Sequence, residues 1–216
     1  MSGLRVLFIG GSGIISSACG RLAVQRDLDL YVLNRGATQL RPLPAEVTVL
    51  QGDVRDPASM GEALGDREFD VVVDWVAFTP DHVEADLERF RGRIGQYVFI
   101  SSASVYQAPP SRVPVTESTP LSNPYWQYSR NKIACEDLLV RAYREESFPA
   151  TIVRPSHTYD RTSVPCHAGW TLVQRMREGK TVIVTGASGH LGRLVAEDLV
   201  ERRVAAIVNV APSTTG

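Results

Sequence analysis

The chain has 216 residues, 44% hydrophobic and 22% charged, with a net charge of −1. This balance suits one medium globular domain, or one domain and part of a second, and it offers no basic footprint for nucleic acid or an anionic membrane. Cys19, Cys135 and Cys166 are odd in number and widely spaced, which argues against a disulfide framework or a metal site. No apolar leader or membrane-length apolar run is seen, so the expected location is cytoplasmic.

Strand-like and helix-like segments alternate along the chain, the pattern of a parallel sheet with helices on both faces. Residues 4–9 read as the first strand. It runs into Gly10–Gly11–Ser12–Gly13, and a helix is expected over 14–26. Such glycines permit a tight turn and a close backbone approach, and the helix start then presents free N–H groups to a pyrophosphate. Ser16 stands where a third glycine often sits, a position that serves close helix–strand packing. Strands follow at 30–33 and 47–50, then a short helix at 57–64 with Asp56 as N-cap and Pro57 in its first position. Residues 70–75 are almost wholly apolar after Asp70, as a strand covered on both faces requires. A helix at 80–90 carries acids in its early turns, in keeping with the dipole, and 96–100 is the fifth strand.

Residues 107–123 hold Pro109, Pro110, Pro114 and Pro120 and read as a long loop. Asn123–Pro124 then starts a helix expected to reach about Glu146, with Cys135/Leu139/Tyr143 and Leu138/Ala142 facing inward. A sixth strand at 150–153 and a helix at 170–177 complete this part. Residues 181–210 look like a new beginning: a strand at 181–184, a glycine turn at 185–192, a helix at 194–203 and a strand at 205–210, echoing residues 4–34. Thirty-seven residues, 180–216, cannot bury the faces of such a βαβ unit alone. The expectation is therefore that they dock on the first domain, with the strand at 181–184 extending the parallel sheet beyond 150–153.

The residues that carry chemistry gather at the carboxyl ends of the strands, where open α/β sheets bind ligands. After the second strand comes Asn34–Arg35–Gly36, with no carboxylate for a ribose 2′-hydroxyl. Arg35 could pair with a 2′-phosphate, which favours NADP over NAD, although a solvated surface arginine reads equally well. Asp53, followed by Val54, is placed to meet an adenine edge. Ser101–Ser102–Ala103–Ser104–Val105–Tyr106 ends the fifth strand, and Tyr128 and Lys132 lie four apart on the next helix, hence on one face. There an ammonium could depress a phenol from about 10 toward neutrality, making Tyr128 a usable acid and base.

Together the Gly10–Gly13 turn, Gly52–Asp53, the Ser-Ser-x-x-Val-Tyr stretch, Tyr128/Lys132 and Arg154–Pro155 make residues 1–179 resemble an extended short-chain dehydrogenase/reductase of the NAD-dependent epimerase/dehydratase type. The resemblance implies a doubly wound Rossmann sheet. It also implies Tyr128 as acid/base, Lys132 on the nicotinamide ribose and Ser102 positioning the substrate oxygen. Cofactor contacts would come from Gly10, Gly11, Ser12, Gly13, Ile14, Ile15, Asn34, Arg35, Asp53, Val54, Val76, Ala77, Lys132, Pro155 and His157, with no metal. It further implies a small-molecule alcohol or ketone, such as a nucleotide sugar, as substrate and admits a homodimer. Two departures stand out. Relatives carry Asn-Ala-Ala after the fourth strand where this chain has Asp74–Trp75–Val76–Ala77. Relatives also continue into a substrate-binding domain where this chain shows a second glycine motif, so that domain is expected to be missing or much reduced. Two functions follow: a nicotinamide-dependent oxidoreductase, epimerase or dehydratase, or a dinucleotide-binding module with little catalysis. RNA binding is disfavoured by the near-neutral charge.

Overall fold

The computed structural model describes residues 3–36, 40–164, 169–180, 182–184 and 207–209, the last two spans by backbone alone. The chain divides into two units, Met1–Val105 with Leu121–Ser156, and Tyr106–Pro120 with His157–Gly216.

The first unit runs β1 (Arg5–Ile9), α1 (Ile14–Gln25), β2 (Asp29–Asn34), β3 (Thr48–Gln51), α2 (Pro57–Leu64), β4 (Val71–Asp74), α3 (Pro80–Phe90), β5 (Gln96–Ile100), α4 (Gln127–Glu146) and β6 (Ala150–Val153). Its six strands are parallel, in the order β3-β2-β1-β4-β5-β6. The order reverses direction between β1 and β4, which makes the carboxyl ends of those two strands the topological switch point. Register brings Ile9 level with Leu33 on one side and Asp74 on the other. The expected α/β class and sheet are present.

The central strands are apolar on both faces because helices cover both. Leu7, Ile9, Val72, Tyr97 and Phe99 pack with Met60 and Leu64 of α2, Val83 and Leu87 of α3, and Cys135 and Leu139 of α4. Val6, Phe8, Val32 and Val73 pack with Ala23 of α1. Asp56 caps α2 as expected, accepting the amides of Ala58 and Ser59.

Two expectations about α4 are corrected. The helix begins after Trp126, not at Asn123–Pro124. Asn123 instead donates its side-chain amide to the Ser104 carbonyl at 2.8 Å and accepts the Tyr125 amide at 3.1 Å, closing an Asx turn ahead of the helix. Tyr143 is 62% exposed, because Ala142 takes the inward position at that turn.

The second unit contains α5 (Gly169–Arg177), β7 (Val182–Val184) and β8 (Ile207–Asn209). β7 pairs in parallel with β8 as a two-stranded sheet. The second glycine turn, the helix at 194–203 and the pair Cys166–His167 lie outside the described residues.

Candidate active site

Gly10 has a φ of +81°, and its amide donates to the Leu33 carbonyl at 2.9 Å. A Cβ there would fall 2.8 Å from Val76 Cγ1, and one on Gly11 would fall 2.4 Å from Val32 Cγ1. Glycine at both positions lets the turn pass between the ends of β1, β2 and β4. The first amides of α1 have no intrahelical acceptor and form the positive end of the helix dipole. One donor is engaged locally: Ser16 Oγ accepts the Gly13 amide at 2.9 Å. Ser16 is buried, at the close-packing position read for a third glycine.

A cleft of about 270 Å³ opens from this turn along the ends of β1–β4. Of the residues expected to contact a cofactor, Gly10, Ser12, Asn34, Arg35, Asp53, Val54 and Val76 line it, while Gly11, Gly13, Ile14, Ile15 and Ala77 are not on its walls. Asn34 Oδ1 accepts the Gly36 amide at 2.8 Å. Arg35 Nη1 lies 4.0 Å from Asp53 Oδ2, with the arginine side chain 73% exposed. Arg55 and Phe78 also line the cleft and were missed in the sequence. Arg55 donates to the Val76 carbonyl, and Phe78 stands half-exposed at the mouth beside Tyr128. The only signal for either was its place just after a strand.

Beyond the cleft, Ser101 and Ser102 leave β5 and enter a single 3-10 turn over Ala103–Val105. Ser102 Oγ lies 2.9 Å from Ser104 Oγ, which accepts the Ser129 hydroxyl at 2.8 Å. Tyr128, in the first turn of α4, lies near enough to Ser102 for that hydroxyl to act on its phenol. One turn on, Lys132 is 1% exposed and donates at 2.6 Å to the carbonyls of both Ala77 and Ile100. The ammonium thus joins the ends of β4 and β5, 4.6 Å from the Phe99 ring centroid and 5.7 Å from that of Tyr128. Beneath it, buried Glu136 accepts the Ser101 hydroxyl and holds Arg154, with Nη2–Oε2 at 2.7 Å. Pro155 follows Arg154, and its carbonyl accepts the Ala103 amide at 2.9 Å. His157 belongs to the second unit.

The electrostatics differ from expectation. Burial holds the Tyr128 phenol above its ordinary value, opposed by the neighbouring Ser102 hydroxyl. The expected lowering toward neutrality is not seen, because burial outweighs every opposing influence. Burial also lowers Lys132 from 10.5 to about 8, against Cys135, Asp74 and Glu136, which favour its charged form. A lysine depressed in the fold makes the unfolded chain the greater proton binder between those two values, so stability rises with pH across that window. Melting temperatures compared at about pH 7.5 and pH 10 are therefore expected to show wild type gaining on Lys132→Met at the higher pH. A constant difference would contradict this.

A doubly wound sheet with a glycine turn at its switch point defines a dinucleotide-fold α/β protein. Residues 87–184 match the model of the NAD dependent epimerase/dehydratase family. The chain is 27% identical to a UDP-glucose 4-epimerase of Lactobacillus helveticus, over 70% of this chain and 51% of that protein. It is 31% identical to a dTDP-glucose 4,6-dehydratase of Mycolicibacterium smegmatis, over 72% of this chain and 54% of that one. In fold it resembles the UDP-glucose 4-epimerase of Thermus thermophilus in complex with NAD, with a TM-score of 0.68, 23% identity, and coverage of 96% of this chain and 78% of that one. Over residues 87–184 the chain is thus similar to the NAD-dependent epimerase/dehydratase family. It spans about half the length of the two curated relatives. Among the described residues, no helix is long and apolar enough to cross a membrane.

Proposed function

We propose that the chain is a nicotinamide-dependent oxidoreductase of the epimerase/dehydratase kind, acting on an alcohol or ketone carbon of a nucleotide sugar or related compound. The observation that carries this reading is the placement of Tyr128 near Ser102, with the Lys132 ammonium 5.7 Å from the Tyr128 ring and Phe78 of the glycine-turn cleft beside it. Bound in that cleft, the nicotinamide would supply the hydride acceptor and donor. Gly10–Gly13 and the start of α1 would hold the pyrophosphate, and Asp53 and Val54 the adenosine side. Tyr128 then moves the hydroxyl proton of the substrate. Its raised phenol stays protonated at neutral pH, the form that donates to a carbonyl oxygen. Ser102 shares the hydrogen bonds of that oxygen. Lys132 has three N–H donors, two of them directed at Ala77 and Ile100, so one is left for a ribose hydroxyl.

Arg35 supports NADP as the preferred cofactor, with NAD second. Its contact with Asp53 is long and exposed, an ion pair of little strength that a 2′-phosphate can displace. The second reading, a dinucleotide-binding module with little turnover, draws on the raised Tyr128 phenol. Calorimetric titration with NADPH and NADH, followed by turnover assays on UDP-glucose and dTDP-glucose, separates the two. NADPH is expected to bind more tightly, and Arg35→Ala to weaken NADPH by about tenfold while leaving NADH nearly unchanged. Tighter NADH binding by the wild type would reverse the cofactor assignment. Tight cofactor binding without turnover would favour the module. A stoichiometry of two would give the 185–192 turn a nucleotide of its own.

A further inference from the structure

Behind the loop that follows β4, the interior holds two carboxyl groups that no motif accounts for. Asp74 is fully buried at the end of β4, and Asp86 is 2% exposed on the inward face of α3 with Val83, Leu87 and Phe90. Asp74 Oδ1 accepts the amides of Val76 at 2.5 Å and Ala77 at 2.8 Å. Its other oxygen, Oδ2, is buried and receives no hydrogen bond from an amide or hydroxyl among the described residues. The Asp86 carboxyl faces Asp74 closely enough for the two to interact electrostatically, and its own Oδ2 accepts the hydroxyl of buried Tyr97 at 2.5 Å. Two ionised carboxylates in this dry space would repel each other and leave one oxygen bare. A single proton between them removes both penalties.

We propose that Asp86 holds a proton and donates it to Asp74 Oδ2, so that the pair bears one negative charge, kept on Asp74 as the counter-charge of Lys132. The assignment of the charge follows from the donors. Asp74 receives two backbone amides, whereas Asp86 receives one phenol, which suits the carbonyl oxygen of a neutral acid. Burial and the facing Asp74 hold the Asp86 carboxyl well above the ordinary carboxylate range, and burial with the facing Asp86 raises the Tyr97 phenol as well. The titratable and charged groups around the pair are Arg55 from the loop after β3, Asp81 and His82 from α3, Tyr97 from β5, and Lys132, Cys135 and Glu136 from α4. The pair acts on the site through the backbone: Ala77, whose amide Asp74 holds, gives its carbonyl to Lys132. Asp86 is thereby a positioning residue. Its consequence for catalysis rests on the role proposed for Lys132, but its protonation does not.

Two spectroscopic readouts test this without cofactor or substrate, so their failure is distinct from failure of the proposed activity. Infrared difference spectra of wild type against Asp86→Asn at neutral pH report a protonated carboxyl. The ¹³Cε resonances of lysine-labelled protein, followed against pH, report Lys132. The chain has only Lys132 and Lys180, the latter exposed and paired with Glu178, and Lys132→Met assigns the two signals. The wild type is expected to show a protonated carboxylic acid band that Asp86→Asn removes. The Lys132 midpoint, near 8 in the wild type, should stay in place in Asp86→Asn, because the amide reproduces the donor and acceptor of the neutral acid. In Asp74→Asn it should fall by about one unit. Absence of the band, or a fall in Asp86→Asn equal to that in Asp74→Asn, would overturn the proposal. Should Asp74→Asn fail to fold, the band and the Asp86→Asn titration decide alone.

Discussion

Tyr128→Phe is expected to lower turnover by about 10²–10⁴-fold while leaving nicotinamide-dinucleotide affinity within about twofold. The substitution removes one oxygen near Ser102, and nothing else from the site. The ring remains, with its neighbours Trp126 at 4.8 Å and Phe78 at 6.5 Å between centroids. Lys132 keeps its two carbonyl acceptors, since neither depends on the phenol. A half-buried hydroxyl contributes about 1 kcal/mol to stability, so the variant should fold and melt close to wild type. Any lost activity would then belong to the chemistry. The discriminating pair of measurements is kcat on a nucleotide sugar and the calorimetric Kd for the cofactor. Turnover within about tenfold of wild type would move the proton to another group, with the neighbouring Ser102 the first candidate. A parallel loss of cofactor affinity would instead give the phenol a binding role.

The course of the chain was legible wherever a local rule decided the outcome. The start of α2 follows from Asp56–Pro57, which fixes where a helix can begin, and the apolar stretch of β4 marks a strand covered on both faces. The start of α4 was not legible, because Asn123 could cap a helix or a turn, and its bond to the Ser104 carbonyl, nineteen residues away, decides for the turn. Acids early in α3 read as dipole partners. That suits exposed Asp81 and Glu84, but Asp86 falls on the inward face, where it meets Tyr97 from another strand. The spacing of Tyr128 and Lys132 identified the pair. It carried no information about the carbonyls of Ala77 and Ile100 or the rings of Phe78 and Phe99, which enclose the ammonium, nor about the burial that lowers it. Spacing along a helix reports which side chains share a face. Burial and charge depend on what that face meets, and here it meets the ends of two strands more than thirty residues distant.

Glu136→Ala is expected to cost about 3 kcal/mol and to lower the melting temperature by about 10 °C. Glu136 is 2% exposed and takes Arg154 through both oxygens, with Nε at 3.1 and 3.2 Å and Nη2 at 2.7 Å, while Ser101 donates to Oε1. Removing the carboxylate leaves a mostly buried guanidinium and a buried hydroxyl without their acceptor, and that uncompensated burial carries most of the cost. Replacing both ends of the pair, as Glu136→Leu with Arg154→Met, should recover much of the loss, since no charge is then left stranded. Urea denaturation of the two variants measures the difference. A single-variant cost below about 1 kcal/mol would reduce the pair to the worth of a surface contact. The functional consequence should appear first. Ser101 adjoins Ser102 and Glu136 lies one turn beyond Lys132, so the network fixes the spacing of β5, α4 and β6 around Ser102 and Lys132. Loosening it should reduce turnover at temperatures well below unfolding, because a hydrogen bond between two elements weakens as soon as either is free to shift.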